Sequence, residues 1–130
     1  KLLGLIDSQD AIIGNPLYDV VSCLDDVRLK LKNNLQDDML KFYHLNSKLK
    51  KQDFQHLKND YDILSIQRNL KILGIFVRLY IRDNKSNYLK YLPNTWNLIE
   101  KRLQNPIFKN LNTILKKYLK IKKLRKINSL

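Results

Sequence analysis

Asp7 closes the apolar run Leu2-Leu3-Gly4-Leu5-Ile6, and two further carboxylates follow it at Asp10 and Asp19. An aspartate delivered into a loop by the end of a buried strand is fixed by the strand and free of helix packing, which suits it to gripping a divalent cation. Magnesium bound to a nucleotide is held in this way where phosphoryl groups are transferred, and the metal neutralises charge on the β- and γ-phosphates. The bare pattern, two apolar residues, Asp and a polar residue, is equally that of an aspartate capping its own loop. Cys23, the single cysteine, has no disulfide partner within the chain and lies in an apolar stretch, so it reads as a buried, inert thiol rather than a nucleophile. His44 and His56 have no Cys or His at ligand spacing, so a zinc site is not expected.

The elements that must position these groups are mainly helical. Residues 2–6 fit a short buried strand. A loop follows over residues 8–15, in which Gly14 and Asn15 tolerate unusual backbone angles. Asn15 and Pro16 make an N-cap and first-turn pair. The spacing of Leu17, Val20, Val21, Leu24, Val27 and Leu31 then predicts a helix to about residue 32. Residues 33–38 (NNLQDD) read as a break, with Asp37 and Asp38 at the positive end of the next helix. That helix is expected to reach about Lys51, with Met39, Leu40, Phe42, Tyr43 and Leu49 as apolar contacts.

The longest periodic signal is residues 62–82, where Ile63, Ile66, Leu70, Leu73 and Val77 form a core stripe. Beside it Gln67, Arg68, Lys71, Arg78 and Arg82 share a polar, mostly cationic arc. Residues 82–87 (RDNKSN) read as a turn, because Asp83 and Asn84 accept left-handed or side-chain-bonded geometry. Helices are expected over residues 93–103 and 106–119, followed by a basic amphipathic tail. No internal repeat or low-complexity linker divides the chain.

A length of 130 residues with 44% apolar and 28% charged residues describes one globular unit able to bury a core. The net charge of +13 is unevenly placed: residues 1–40 carry four basic and seven acidic side chains, whereas residues 101–130 carry ten basic and none acidic. Ala11 is the only alanine among abundant Lys, Asn, Ile and Leu. That bias resembles the output of an AT-rich genome and supplies lysine without a functional demand. No apolar run approaches the roughly 18–20 residues that span a bilayer, and no signal-peptide pattern opens the chain, so a cytoplasmic protein is expected. The chain starts at Lys1 with a strand that has no partner, and an orphan strand is marginal alone. The chain therefore reads as the C-terminal piece of a larger protein.

The segment LGLIDSQDAIIGNPLYDVVSCLDD resembles the magnesium-binding segment of the aminoglycoside phosphotransferase family, whose fold is protein-kinase-like. In that family an Ile-Asp pair ends a strand, a Gly-Pro-containing loop follows and a Tyr-Asp-Leu element opens a helix. Here those are Ile6-Asp7, Gly14-Asn15-Pro16 and Tyr18-Asp19-Val20, with a step of twelve positions from Asp7 to Asp19. The wording Gln9-Asp10-Ala11 is similar to one branch, the bacterial anomeric N-acetylmuramate and N-acetylglucosamine kinases. A second block, DILSIQRNLKILGIFVRLYIRDNKSNYLKYLP, resembles the C-terminal helical segment of that branch. The fold implied is the helical C-lobe of a kinase-like domain with one short N-terminal strand.

The resemblance implies an ATP-dependent phosphotransferase acting on a sugar or amino-sugar hydroxyl, with ATP and Mg2+ as co-substrate and cation. Asp7 would be the magnesium ligand, and Asp19 would brace the catalytic loop by hydrogen bonds. Asp10 would line the phosphate site or stabilise its own loop, and Gln67 and Arg68 would face the sugar or pack the lobe. Asp25 and Asp26 form an acidic face that would meet a substrate or, by preference, stay solvated. The chain departs from the branch in Ser8 for Phe, Asn15 for the first Pro of Gly-Pro-Pro, and Asn84 for the Gly of Asp-Gly-Lys. It holds no His-x-Asp catalytic loop, phosphate-covering loop or nucleotide lysine. The expected partner is therefore the missing N-terminal part of the same protein, and this piece alone is expected to be inactive. The competing expectation is a basic helical module that binds nucleic acid or another partner without catalysis. The acidic first helix and the lack of a helix-turn-helix pattern weigh against specific nucleic-acid binding.

Overall fold

The computed structural model describes residues 13–29 and 31–119, the side chain of Asn33 excepted. Over those residues the chain forms α1 (Leu17–Leu24), α2 (Asn33–Asn46), α3 (Phe54–Asp83), α4 (Leu92–Arg102) and α5 (Lys109–Tyr118). Short 3-10 segments at Lys48–Lys51, Ser86–Tyr91 and Pro106–Phe108 lead into or between them. The mainly helical class is as expected, and no strand occurs among the described residues. The strand expected over residues 2–6 and the basic tail from residue 120 lie outside them.

The helix starts follow local chemistry. Pro16 already has helical angles (φ −61°, ψ −17°), and the Asn15 Oδ1 accepts from the Leu17 N–H at 2.9 Å, so Asn15 caps α1 as its type predicts. Asp53 caps α3 by accepting from the His56 N–H at 3.1 Å. α3 therefore begins eight residues before the periodic stretch suggested. Its other end is the expected turn: Asn84 adopts the left-handed conformation (φ 53°), and the Leu79 carbonyl accepts from Lys85 at 3.1 Å.

Three further boundaries differ from expectation. α1 stops at Leu24, not near residue 32, because Asp25 turns out of the helix (φ −105°, ψ 31°) into the interior. Asp26 then nucleates a turn through its side chain and carbonyl, which accept from the Arg28 and Leu29 N–H groups at 2.9 and 3.0 Å. Residues 33–38 are not a break but the first turns of α2. α2 ends at Asn46, five residues short of Lys51, and the chain continues as the Lys48–Lys51 segment.

α3 is the spine, 30 residues long and about 45 Å end to end at 1.5 Å per residue. Its N-terminal half packs with α1 and α2 through Leu17, Val21, Leu24, Leu40, Leu57 and Tyr61. Its C-terminal half packs with α4 through Ile66, Leu73, Leu92, Trp96, Ile99 and Leu103, and Phe108 joins that cluster. The buried face of α3 is thus Leu57, Tyr61, Asp62, Ser65, Ile66, Asn69 and Leu73. Ile63 and Val77, placed in the core by their spacing, are exposed, as are Met39 and Phe42 of α2.

Candidate functional site

The middle of the buried face of α3 is polar, and it receives the end of α1. Asp25 is 0% exposed and lies over Tyr61, Ser65 and Asn69, which follow one another at four-residue steps along one side of the helix. Its carboxylate accepts from the Tyr61 hydroxyl at 2.9 Å, from the Ser65 hydroxyl, and from the Asn69 amide at 3.3 Å. From α4, Arg102, 3% exposed, donates Nη2 to Asp25 Oδ1 at 3.0 Å and lies over the Tyr61 ring, 4.8 Å from its centroid. Asp62 flanks the guanidinium, 3.6 Å from Nε, and accepts from the Asn105 amide at 3.0 Å. One buried cation thus stands between two buried carboxylates, an arrangement tolerable only because hydrogen bonds satisfy most of the polar atoms.

The electrostatics follow from burial. Desolvation, and then the Asp25 carboxylate beside it, push the Tyr61 phenol well above its ordinary value, so it stays a donor. Burial disfavours the Arg102 charge, but Asp25, Tyr61 and Asp62 outweigh it and hold the guanidinium protonated. On the outer edge, Lys101 donates to Gln36 Oε1 at 2.8 Å; burial, and then Arg102 nearby, lower its pKa. Gln36 donates to the Leu24 carbonyl at 2.7 Å and Asn94 to the Val27 carbonyl at 2.7 Å. The end of α1 and the turn after it are therefore tied to α2, α3 and α4 together.

The residues singled out by sequence are distributed unevenly around this network. Asp7 and Asp10 lie outside the described residues. Asp19 is exposed in the first turn of α1. Gln67 is also exposed, whereas Arg68 is half-buried and turned onto α1. Its Nε donates to the Ser22 hydroxyl at 3.1 Å and its Nη1 to the Asp25 carbonyl at 3.5 Å. Gln67 and Arg68, adjacent in sequence, thus have different surroundings.

Two expectations are corrected. Asp25 is not part of a solvated face: three donors on α3, one on α4 and one on α2 draw it inside, and only Asp26 stays near the surface, where its bond with Arg28 holds its carboxyl below the usual range. Cys23 is exposed, not buried, because α1 buries its Leu17-Val21-Leu24 side. Cys23 borders an apolar groove with Val20, Met39 and Phe42. Arg102 was not singled out at all. The signal that could have found it is the run Tyr61, Ser65, Asn69, a polar stripe at helical spacing between Leu57 and Leu73.

Among the described residues no three His, Cys, Asp or Glu side chains gather as metal ligands. No helix among them is long and apolar enough to cross a membrane.

This helical assembly belongs to a chain related to sugar kinases, and no family model matches it. The relatives are proteins named N-acetylmuramate/N-acetylglucosamine kinase. The one from Neisseria meningitidis serogroup B is 30% identical over 102 residues, 75% of this chain and 30% of the relative. That of Caulobacter vibrioides is 26% identical over 124 residues, 95% of this chain and 33% of the relative. That of Pseudomonas putida is 29% identical over 94 residues, 69% of this chain and 28% of the relative. The chain spans about a third of the length of the curated relatives it matches.

Proposed function

We propose that this chain is the C-terminal helical part, of C-lobe type, of a kinase-like ATP-dependent phosphotransferase that phosphorylates a hydroxyl of an amino sugar. The observation that carries this is the agreement of four relatives under one name, N-acetylmuramate/N-acetylglucosamine kinase. The Caulobacter match runs over 95% of this chain, so it takes in the α3 and α4 region as well as the aspartate-bearing start. ATP is the phosphoryl donor and Mg2+ its counter-ion; a bound magnesium ion neutralises phosphate charge. Its protein contact is assigned to Asp7, on the likeness of the Ile6-Asp7 segment to the magnesium-binding segment of the aminoglycoside phosphotransferase family. Asp19, in the first turn of α1, braces the catalytic loop by hydrogen bonds. Asp10 lines the phosphate site or steadies its own loop. Positioning and fixed charge carry such catalysis, and a rigid helical platform is what these residues contribute to it.

The test is turnover by the full-length protein supplied with ATP and either N-acetylmuramate or N-acetylglucosamine. The expected result is release of ADP matched by a phosphorylated sugar detected by mass spectrometry, both abolished when the divalent cation is chelated. ATP consumption without a phosphosugar, or no consumption with either sugar, would contradict the assignment.

A further inference from the structure

α1 is short, 8 residues or about 12 Å at 1.5 Å per residue. Its N-terminal end is held by Leu17, buried against α2 and α3, by the Asn15 cap and by a 3.5 Å bond from the Tyr43 hydroxyl to the Pro16 carbonyl. Its C-terminal end is held by the buried Asp25 and, from outside, by the Arg68 fork. Nε of that fork donates to Ser22 at 3.1 Å and Nη1 to the Asp25 carbonyl at 3.5 Å. The Ser22 hydroxyl in turn donates to the Tyr18 carbonyl at 2.9 Å, one turn back and next to Asp19. A cation at the carbonyl end of a helix is also favoured by the helix dipole.

We infer that Arg68 is a positioning residue for phosphoryl transfer: it fixes the rotation of α1 through Ser22 and the Asp25 carbonyl, and so sets where Asp19 stands. This rests on the phosphotransferase function proposed above. It also replaces the alternative in which Arg68 touches the sugar, since two of its donors are engaged by α1. Lysine at this position offers one point charge in place of a fork and reproduces only one of the two contacts.

The experiment compares wild type, Arg68→Lys, Arg68→Met, Ser22→Ala and the double variant Arg68→Met/Ser22→Ala in the full-length protein. It follows kcat, the KM for sugar, and hydrogen exchange at the amides of residues 17–25. Misplacement of a reacting group by about 1 Å costs up to about 100-fold, so kcat of Arg68→Met is expected to fall at least about tenfold. The KM for sugar stays within about twofold, exchange in α1 rises, and Arg68→Lys recovers part of kcat. Because Ser22 acts through its contact with Arg68, which Arg68→Met already removes, the double variant loses little more than Arg68→Met alone. A raised sugar KM with kcat unchanged would overturn the inference in favour of substrate contact. So would unchanged kinetics and exchange in an active enzyme, or additive losses in the double variant. If Arg68→Met fails to fold, Ser22→Ala decides: a lowered kcat with faster α1 exchange supports the role, and unchanged values overturn it. A wild-type protein inactive on both sugars overturns the proposed function and the positioning role together.

Discussion

Asp25 and Arg102 are the pair on which the interior depends most. Removing one partner of a buried ion pair leaves an uncompensated charge, and this typically costs about 3–5 kcal/mol. Arg102→Met is therefore expected to lower unfolding stability by that amount in a urea titration; a loss below about 1 kcal/mol would show that the pair is not buried as described. Replacing both ions with apolar residues is not expected to restore stability. Tyr61, Ser65 and Asn69 would then face no carboxylate.

Tyr61 gives this pair a dependence on pH. Its phenol is raised by burial and by Asp25, so the folded protein keeps a proton that the unfolded chain releases near pH 10. That contribution is fully present below about pH 10 and is lost as pH rises through and beyond it. Stability is expected to decline in the alkaline range, and Tyr61→Phe to make that decline shallower. The same variant costs about 1.5–3 kcal/mol at neutral pH, because it removes a hydrogen bond to a charged group. Denaturant titrations at pH 7, 9 and 11 would check both signs.

At the scale of elements, the helices that could be read from sequence were those whose limits are set by local chemistry. Asn15 and Pro16 open α1, Pro93 sits in the first turn of α4, and Asn84 ends α3 by taking the left-handed conformation. Asn84→Val should destabilise the protein by about 1–2 kcal/mol, since a β-branched residue strains that conformation, while Asn84→Gly should be neutral or slightly stabilising. Equal thermal midpoints for the two variants would contradict the assigned cap. The limits that could not be read are set by distant partners. α1 ends early because Asp25 is drawn to groups 36 to 77 residues away in sequence. The core stripe of α3 holds at Ile66, Leu70 and Leu73 and fails at Ile63 and Val77 for the same reason: the helix turns the polar ladder Tyr61, Ser65 and Asn69 inward.

For the whole molecule, α3 joins two apolar clusters with a charged network between them. That layout ties the helices around one shared spine. The candidate site was legible in part: the aspartate-bearing start and the Gln-Arg block pointed to the sugar-kinase relatives, because those short stretches carry residue types that local structure alone does not demand. Arg68 was visible as a functional candidate, but its contact with Ser22 joins residues 46 apart, which spacing within one helix does not reveal. The most direct measurement is phosphoryl transfer from ATP to N-acetylglucosamine by the full-length protein carrying Asp7→Asn, beside wild type, with the fold of each checked by circular dichroism and thermal melting. The expected result is a variant that melts like wild type and transfers phosphate at least about 100-fold more slowly, the scale on which removal of a single transition-state stabilising group is felt. A folded variant that turns over at the wild-type rate would contradict it.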